Sequence, residues 1–242
     1  PKEIKRNEIY SICIIATNAD IRINIIEKLI EFDFKIDSYV LEKVLVQTLS
    51  DLARLESLLN NKNTYINYNM RYQPIFEIIR EPASISINGG AFDLSSNSFH
   101  YLDLAEYLFK EKVDFLESEM GCEKWYKSNT RPEYFTLYGN INCYFPSKRI
   151  LKLDWKKEET SLISINKPDD FFCQINEIEL FCEIKYIKTN KEIRMPWLHF
   201  SQMASNIVED LLTKKSLLPS LRVSLLHTKL LMNLFLGKYI HS

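Results

Sequence analysis

Polar residues that could do chemistry follow two apolar segments near the start of the chain. One apolar segment ends in Thr17 and Asn18, and the next ends in Glu42 and Lys43. The residues between them have helical spacing, so residues 12–43 predict a strand, a helix and a second strand. In such a βαβ unit the ligand lies beyond the carboxyl ends of the parallel strands. We therefore expect these four polar residues to lie at one crevice.

Lys43 is the member of this group with the clearest chemical use. A lysine at the mouth of a nucleotide crevice binds a substrate hydroxyl and helps to move its proton. A solvated surface charge is the alternative interpretation, because lysine side chains are mostly exposed in proteins. Glu42 beside it and the polar strand end at Thr17 favour the site.

His100 is a second candidate for proton transfer. The apolar spacing predicts a helix from Ser98 onward, which places His100 near the start of that helix. There its ring would project into a cleft, or alternatively it would be satisfied by Asp103 or by a backbone carbonyl. No second histidine or carboxylate stands at ligand spacing from it, so the sequence predicts no metal site.

Arg71 supplies a cation directly after a third predicted strand, residues 65–69. A guanidinium at the carboxyl end of a strand suits an anionic substrate or a phosphate group. An exposed surface arginine is the alternative interpretation.

The order of the predicted elements changes character at Arg71. Before it, strands alternate with helices, which is typical of a parallel sheet with flanking helices. After it, β-like runs dominate as far as residue 195 and two helices close the chain. We predict an α/β plus α+β protein: a partial Rossmann-type parallel sheet, then a domain with a mostly antiparallel sheet and C-terminal helices.

Composition narrows the class of protein. The chain has 242 residues, 46% of them hydrophobic and 26% charged, as in ordinary globular proteins. A net charge of −1 argues against a nucleic-acid partner. The five cysteines, Cys122 among them, form no CxxC pair, which disfavours zinc and disulfide frameworks. Without a membrane-length apolar run or a signal-peptide pattern, we expect a cytoplasmic protein with no membrane partner.

Several segments resemble the Gfo/Idh/MocA oxidoreductases, the family of glucose-fructose oxidoreductase and inositol dehydrogenase. They are ICIIATNADIR, VLEKVLVQTLSDLARLESLL, INYNMRYQPIF and GGAFDLSSNSFHYLDLAEYL, in the order that the family shows. The C-terminal segment from QMASNIVED to the end is similar to the helix pair of a subgroup linked to surface-polysaccharide synthesis.

The resemblance implies a role for each candidate residue. Residues 1–71 would be the C-terminal part of a dinucleotide-binding domain, and residues 72–242 a substrate and oligomerisation domain. The residues that would lie against NAD or NADP are Thr17, Asn18, Glu42 and Lys43. Lys43 would also touch the substrate, and His100 would be the catalytic acid/base. The substrate would lie near Asn69, Arg71 and Asn97.

The chain departs from the family pattern at three points. Val44 replaces the proline of the E-K-P stretch, and Ser96 stands where the family has an aspartate four residues before the histidine. The five glycines form no G-x-G-x-x-G phosphate loop. Because the chain also opens on Pro1 close to a strand, we expect a fragment or a shortened protein that binds NAD or NADP weakly and tends to associate.

The resemblance therefore implies an NAD- or NADP-dependent oxidoreductase that acts on a hydroxyl of a sugar or sugar nucleotide in surface-polysaccharide synthesis. The alternative is a catalytically inactive, fold-retaining protein with a binding or regulatory role. In either case we expect a homo-oligomer, because a broad antiparallel sheet face needs covering.

Overall fold

The computed structural model describes residues 8–90, 93–118, 125–127, 135–156 and 160–235. Two compact units are present. The first contains the residues up to Tyr68 together with Ala204–Met232, and the second contains Asn69–Met203 and the residues from Asn233 onward. The predicted boundary at residues 71 and 72 assigned the whole C-terminal segment to the second domain. Instead, residues 204–232 pack in the first unit, where the amide of Ile66 donates to the carbonyl of Pro219 at 3.0 Å.

The first unit is built on a parallel sheet. Its elements in chain order are β1 (Ile9–Ile15), α1 (Ala19–Glu31), β2 (Lys35–Leu41), α2 (Leu49–Leu59) and β3 (Thr64–Ile66). Within the described residues the sheet order is β1-β2-β3, and both strand pairs are parallel. Two later helices complete the chain: α5 (Phe200–Leu212) and α6 (Leu221–Phe235). This arrangement confirms the predicted partial Rossmann-type sheet.

Helix α2 follows its sequence pattern closely. The side chain of Thr48 caps the helix by accepting a hydrogen bond from the amide of Asp51 at 3.1 Å. Leu52, Leu55 and Leu59 are buried at the predicted spacing.

Helix α1 buries only part of the face that its apolar spacing predicts. The helical spacing of Ile21, Ile26 and Ile30 predicts that these residues face inward and leaves Arg22 for another face, but Ile21 is 46% exposed and Ile30 37% exposed. The buried residues are Arg22, Ile23 and Ile26. The physical reason is that the Arg22 guanidinium finds three carbonyl acceptors inside the unit, as described below.

Strand β1 is also less buried than its apolar sequence predicted. Only Ile15 is fully buried, whereas Ile9 is 72% exposed and Ile14 is 58% exposed. Among the described residues β1 pairs with β2 alone, so it is an edge strand of the described sheet. The exposure of Ile9 and Ile14 shows that its two faces are not both covered.

The second unit is built on a large mixed sheet. Its strands are β4 (Ser84–Gly89), β5 (Phe115–Glu117), β6 (Trp125–Lys127), β7 (Phe135–Leu137), β8 (Gly139–Tyr144), β9 (Ile150–Trp155), β10 (Ser161–Lys167), β11 (Phe171–Asn176), β12 (Phe181–Tyr186) and β13 (Glu192–Pro196). In the described part of the chain, eight of them form a sheet in the order β13-β12-β11-β10-β4-β9-β8-β5, and β6 pairs with β7. Every pair is antiparallel except β4 with β9, which confirms the predicted mostly antiparallel sheet.

The helices of the second unit begin earlier, or are shorter, than predicted. They are a short 3-10 helix (Asn69–Tyr72), α3 (Ile75–Ile78) and α4 (Leu94–Phe109). Helix α4 starts four residues before Ser98, because the carboxylate of Asp93 accepts from the amides of Ser95 and Ser96 and caps it there. His100 therefore lies in the second turn of α4 rather than at its start. Strand β3 ends at Ile66, so Arg71 stands in the 3-10 helix and not directly after a strand.

Among the described residues, no helix combines the length and the apolar character that a membrane crossing requires. The four described cysteines, Cys13, Cys143, Cys173 and Cys182, are free thiols, and Cys122 lies outside the described residues.

The exposed isoleucines of β1 lead to a first prediction. An edge strand with exposed apolar side chains, here one on each face, favours pairing with another chain. We expect the purified protein to self-associate, and the double substitution Ile9→Lys/Ile14→Lys to shift it toward monomer. Light scattering across a concentration series measures the change. A parent protein that stays monomeric throughout the series contradicts the prediction.

Candidate functional site

The carboxyl ends of the three parallel strands meet at one edge of the first unit. Ile15 of β1 is paired with Leu41 of β2, which is paired with Ile66 of β3. The ladder continues one step further, because the amide of Glu42 donates to the carbonyl of Ile15 at 3.3 Å. On the far side, the amide of Asn67 donates to the carbonyl of Leu41 at 2.9 Å. The residues that follow each strand are thus brought to the same edge.

Arg22 links the residues that follow β1 to those that follow β2. Its side chain is 1% exposed and donates to the carbonyls of Thr17 at 2.5 Å, Leu45 at 2.8 Å and Val44. Burial lowers the pKa of Arg22 to about 10, against the opposing charges of Glu42 and Asp20. The guanidinium therefore stays charged at neutral pH and links the end of β1 to the segment after β2.

Glu42 and Lys43 occupy the turn that Arg22 holds. The carboxylate of Glu42 accepts a hydrogen bond from the side-chain amide of Asn67 at 2.5 Å. Lys43 is half-buried, and its peptide bond to Val44 is cis. The structure thus places Thr17, Glu42 and Lys43 at the predicted edge, with Asn67 as a neighbour that the sequence pattern did not single out.

Asn18 lies at the start of helix α1. It is the N-cap residue of α1, but its side chain makes no capping hydrogen bond. It is exposed, and Asp20 lies in the first turn of the helix. Its contact with a cofactor stays a prediction.

His100 is carried by helix α4 of the second unit. The residue is half-buried, and the Nδ1 atom of its ring is buried. Asp103, one of the two predicted alternatives for satisfying the histidine, forms a two-point ion pair with Arg71 at 2.7 and 2.6 Å. Lys43 lies in the first unit and His100 in the second, so their action on one substrate stays a prediction.

Arg71 is part of a buried ion pair. Its side chain is 14% exposed, that of Asp103 is 1% exposed, and the guanidinium lies over the ring of Tyr107 at 5.1 Å from its centre. The pair joins the 3-10 helix to α4. Asn69 opens that 3-10 helix, and the side chain of Asn97 donates to the carbonyl of Asp93 at 2.9 Å. The substrate roles of Asn69, Arg71 and Asn97 stay predictions.

A buried polar cluster beside α4 was missed by the sequence analysis. The carboxylate of Glu177 accepts from the hydroxyls of Tyr101 and Ser161, each at 2.6 Å. Burial raises the pKa of Glu177, and the two hydroxyl donors act in the opposite direction. Burial, and then the charge of Glu177, also raise the pKa of Tyr101. No local sequence signal could have found this cluster, because its members are 76 and 16 residues apart along the chain.

A tryptophan ring explains one glycine of the predicted Gly-Gly segment. A β-carbon on Gly89 would lie 2.6 Å from Cζ2 of Trp155, which is closer than atoms approach in proteins. The same indole packs on Tyr101 with ring centres 5.5 Å apart. A glycine is therefore required where β4 passes Trp155.

Metal binding has no candidate in the described part of the chain, where no group of three or more histidine, cysteine or acidic residues is arranged to hold an ion. His227 is buried in α6 and stacks on Tyr68, with ring centres 6.3 Å apart.

The comparisons with known proteins bear on the fold. No protein-family model and no curated protein sequence matches this chain. Solved structures do, and they give the chain the Gfo/Idh/MocA-like fold.

Three of these structures show the range of that fold. Aldose-aldose oxidoreductase from Caulobacter crescentus aligns with a TM-score of 0.69 at 12% identity, covering 96% of this chain and 79% of that one. UDP-N-acetylglucosamine 3-dehydrogenase GnnA from Acidithiobacillus ferrooxidans aligns with a TM-score of 0.68 at 10% identity, over 93% and 78%. The transcriptional regulator Gal80p from Kluyveromyces lactis aligns with a TM-score of 0.67 at 14% identity, over 96% and 76%. At such identities the likeness establishes the fold.

The residues at the edge of the parallel sheet fit one part of a dinucleotide better than another. Glu42 and Asn67 present oxygen acceptors, which suit hydroxyl and amide donors. Residues 8–68 contain no glycine, and the start of α1 carries Asp20, whose charge repels a phosphate. The described part of the first unit therefore fits the ribose and amide groups of NAD or NADP and offers no phosphate cradle.

The burial of Arg22 leads to a second prediction. Replacing it with methionine keeps the side-chain length and helix propensity but leaves three carbonyls without their donor. We expect Arg22→Met to lower the free energy of unfolding by roughly 3 kcal/mol. Arg54→Met is the matched control, since Arg54 pairs with Glu27 on the surface and should cost less than about 1 kcal/mol. Urea unfolding measures both, and equal losses would contradict the role given to Arg22.

The Glu177 cluster leads to a third prediction, on pH dependence. Because burial raises the pKa of Glu177 in the folded protein, its contribution to stability is full below the ordinary value of 4.5. It is lost as the pH rises through the folded-state pKa. We expect the stability of Glu177→Gln relative to the parent to increase with pH across this window. Tyr101→Phe removes one donor that favours the carboxylate, so its stability should fall more steeply with pH than that of the parent.

Urea unfolding from about pH 4 to pH 8 measures these differences. Parallel profiles for the parent and Glu177→Gln would show that the carboxylate is not desolvated in the folded state.

Proposed function

We propose that this protein is an NAD- or NADP-dependent oxidoreductase that acts on a hydroxyl of a sugar or sugar nucleotide, in surface-polysaccharide synthesis. The observation that carries the proposal is the group at the carboxyl ends of the parallel strands: Glu42 and Lys43 after β2, with Asn67 hydrogen-bonded to Glu42. Ligands bind at this edge in doubly wound sheets. The shared fold with an aldose-aldose oxidoreductase and a UDP-N-acetylglucosamine 3-dehydrogenase supports the choice of substrate class.

In the proposed oxidation, two residues of the chain bind the substrate hydroxyl and transfer its proton. When bound, NAD or NADP supplies a nicotinamide ring that takes up a hydride. Lys43 binds the substrate hydroxyl through its ammonium group and helps to move the hydroxyl proton. His100 takes that proton as the hydroxyl becomes a carbonyl, and returns it in the reverse reaction.

The turn that carries Lys43 is held for this purpose by Arg22. Two of the three carbonyls that Arg22 binds belong to Val44 and Leu45, which directly follow Lys43. A lysine on a freely moving turn would spend little time in reach of a substrate hydroxyl. Fixing the backbone beside it therefore raises the effective concentration of the proton-transfer group.

A second function, a binding or regulatory protein without turnover, is favoured by a specific observation. The transcriptional regulator Gal80p shares the fold over 96% of this chain. In addition, Ser96 stands where the resemblance places an aspartate, four residues before the histidine. A fold alone does not decide between these classes, so the site chemistry has to be tested.

A fourth prediction tests catalysis directly. With NAD or NADP and candidate sugars or UDP-N-acetylglucosamine at high concentration, formation of reduced nicotinamide should follow the addition of protein. We expect Lys43→Ala and His100→Ala each to lower kcat about 100-fold, which is the scale of a positioned proton-transfer group.

The exposed Lys62→Ala serves as the matched lysine control and should retain the parent rate. Circular dichroism should show all three variants folded. Parent-level turnover by both site variants would remove the assigned roles. Saturable ligand binding with no turnover for any sugar would favour the regulatory alternative.

A further inference from the structure

Two buried side-chain oxygen atoms, of Thr17 and Asn67 at the carboxyl edge of the parallel sheet, have no hydrogen-bond partner within the described residues. They are Oγ1 of Thr17 and Oδ1 of Asn67. Asn67 is only 7% exposed, so water reaches its amide poorly. Buried acceptors are almost always satisfied in folded proteins, and an exception at a ligand-binding edge points to a missing ligand atom.

The orientation of the Asn67 amide follows from its neighbour. Its nitrogen lies 2.5 Å from Oε1 of Glu42. A carboxylate only accepts hydrogen bonds, so the amide nitrogen, and not the amide oxygen, must face Glu42. The oxygen is thereby turned away from Glu42 and left to accept from another group.

The charges around this oxygen select the class of ligand. The Asn67 oxygen and the Glu42 carboxylate are neighbouring acceptors, which an anionic phosphate would meet with repulsion. The charge of Arg22 acts on Glu42, but its Nη atoms are engaged by backbone carbonyls and its Nε is buried, so Arg22 presents no donor to a phosphate group. Two acceptors side by side suit the hydroxyl groups of a sugar ring, each of which can donate one hydrogen bond.

We propose that Asn67 is a ligand-binding residue whose amide oxygen, turned away from Glu42, accepts a hydrogen bond from a ring hydroxyl. The inference rests on the proposed function and adds a residue that the family resemblance does not assign. The hydroxyl belongs either to the ribose of the cofactor or to the sugar substrate, and the test separates these sources.

The experiment follows the side-chain amide resonance of Asn67 in the ¹⁵N-labelled full chain, which needs no substitution and detects weak binding. The probes are NADH, NADPH, ADP-ribose, UDP-N-acetylglucosamine and inorganic pyrophosphate. ADP-ribose keeps the ribose hydroxyls without the nicotinamide, and pyrophosphate has no hydroxyls. A saturable shift of Asn67 with NADH and ADP-ribose would identify the cofactor ribose as the source. A shift with UDP-N-acetylglucosamine alone would identify the sugar nucleotide.

Affinities of variants provide the second measurement. For the probe that shifts the resonance, Asn67→Leu should lower the binding affinity about 3- to 10-fold, which is the effect of one hydrogen bond to a neutral group. Asn63→Leu is the matched control, since Asn63 is exposed in the same unit and its side chain bonds the carbonyl of Asp37. It should bind as the parent does.

The outcomes separate this inference from the proposed function. Binding of NADH or NADPH without a shift of Asn67 overturns the inference and leaves the oxidoreductase proposal standing. A shift with UDP-N-acetylglucosamine, when NADH and NADPH do not bind, supports the inference and removes the cofactor from the proposed function. A shift with pyrophosphate, or with no probe at all, overturns the inference.

Discussion

The buried guanidinium of Arg22 is the interaction on which the first unit's candidate site depends. A charge that is 1% exposed needs hydrogen-bond partners, and here main-chain carbonyls from two different loops accept from its Nη atoms, whereas its buried Nε has no partner among the described residues. The end of β1 and the turn after β2 must therefore close around the same group. That closure determines where Glu42 and Lys43 stand, so a helix residue sets the geometry of two candidate site residues.

In the second unit, too, a buried charged side chain joins two segments of the chain. The Arg71 guanidinium and the Asp103 carboxylate pair inside the unit and join the 3-10 helix to α4. Asp93 caps α4 and also accepts from the amide of Leu137 at 2.9 Å, which ties the helix start to β7. His100 sits on the helix between these two fixed points. Buried or capping charges thus hold the backbone on both sides of the histidine.

Local periodicity was sufficient to predict most of the regular elements. Strand β2 and helix α2 match the limits that the sequence predicts, residues 35–41 and 48–59, because apolar spacing and the Thr48 cap act within one element. Contacts between residues that are distant in sequence could not be predicted in this way. The inward turn of Arg22 depends on carbonyls 22 and 23 residues away, and the return of residues 204–232 to the first unit depends on a strand-end contact with Ile66. Asn67 had no distinctive pattern, because a polar residue after a strand is ordinary.

The fold occurs in enzymes and in a regulator, and these two kinds of protein differ in what they require of the site residues. A dehydrogenase and a transcriptional regulator both appear among the structures that align over more than nine-tenths of this chain. The paired acceptors of Glu42 and Asn67 would suit a ligand in either kind of protein. Only an enzyme has a use for a proton-transfer group held in a fixed position. Arg22 restrains the turn that carries both Glu42 and Lys43, so this restraint would serve a binding site as well as a catalytic one.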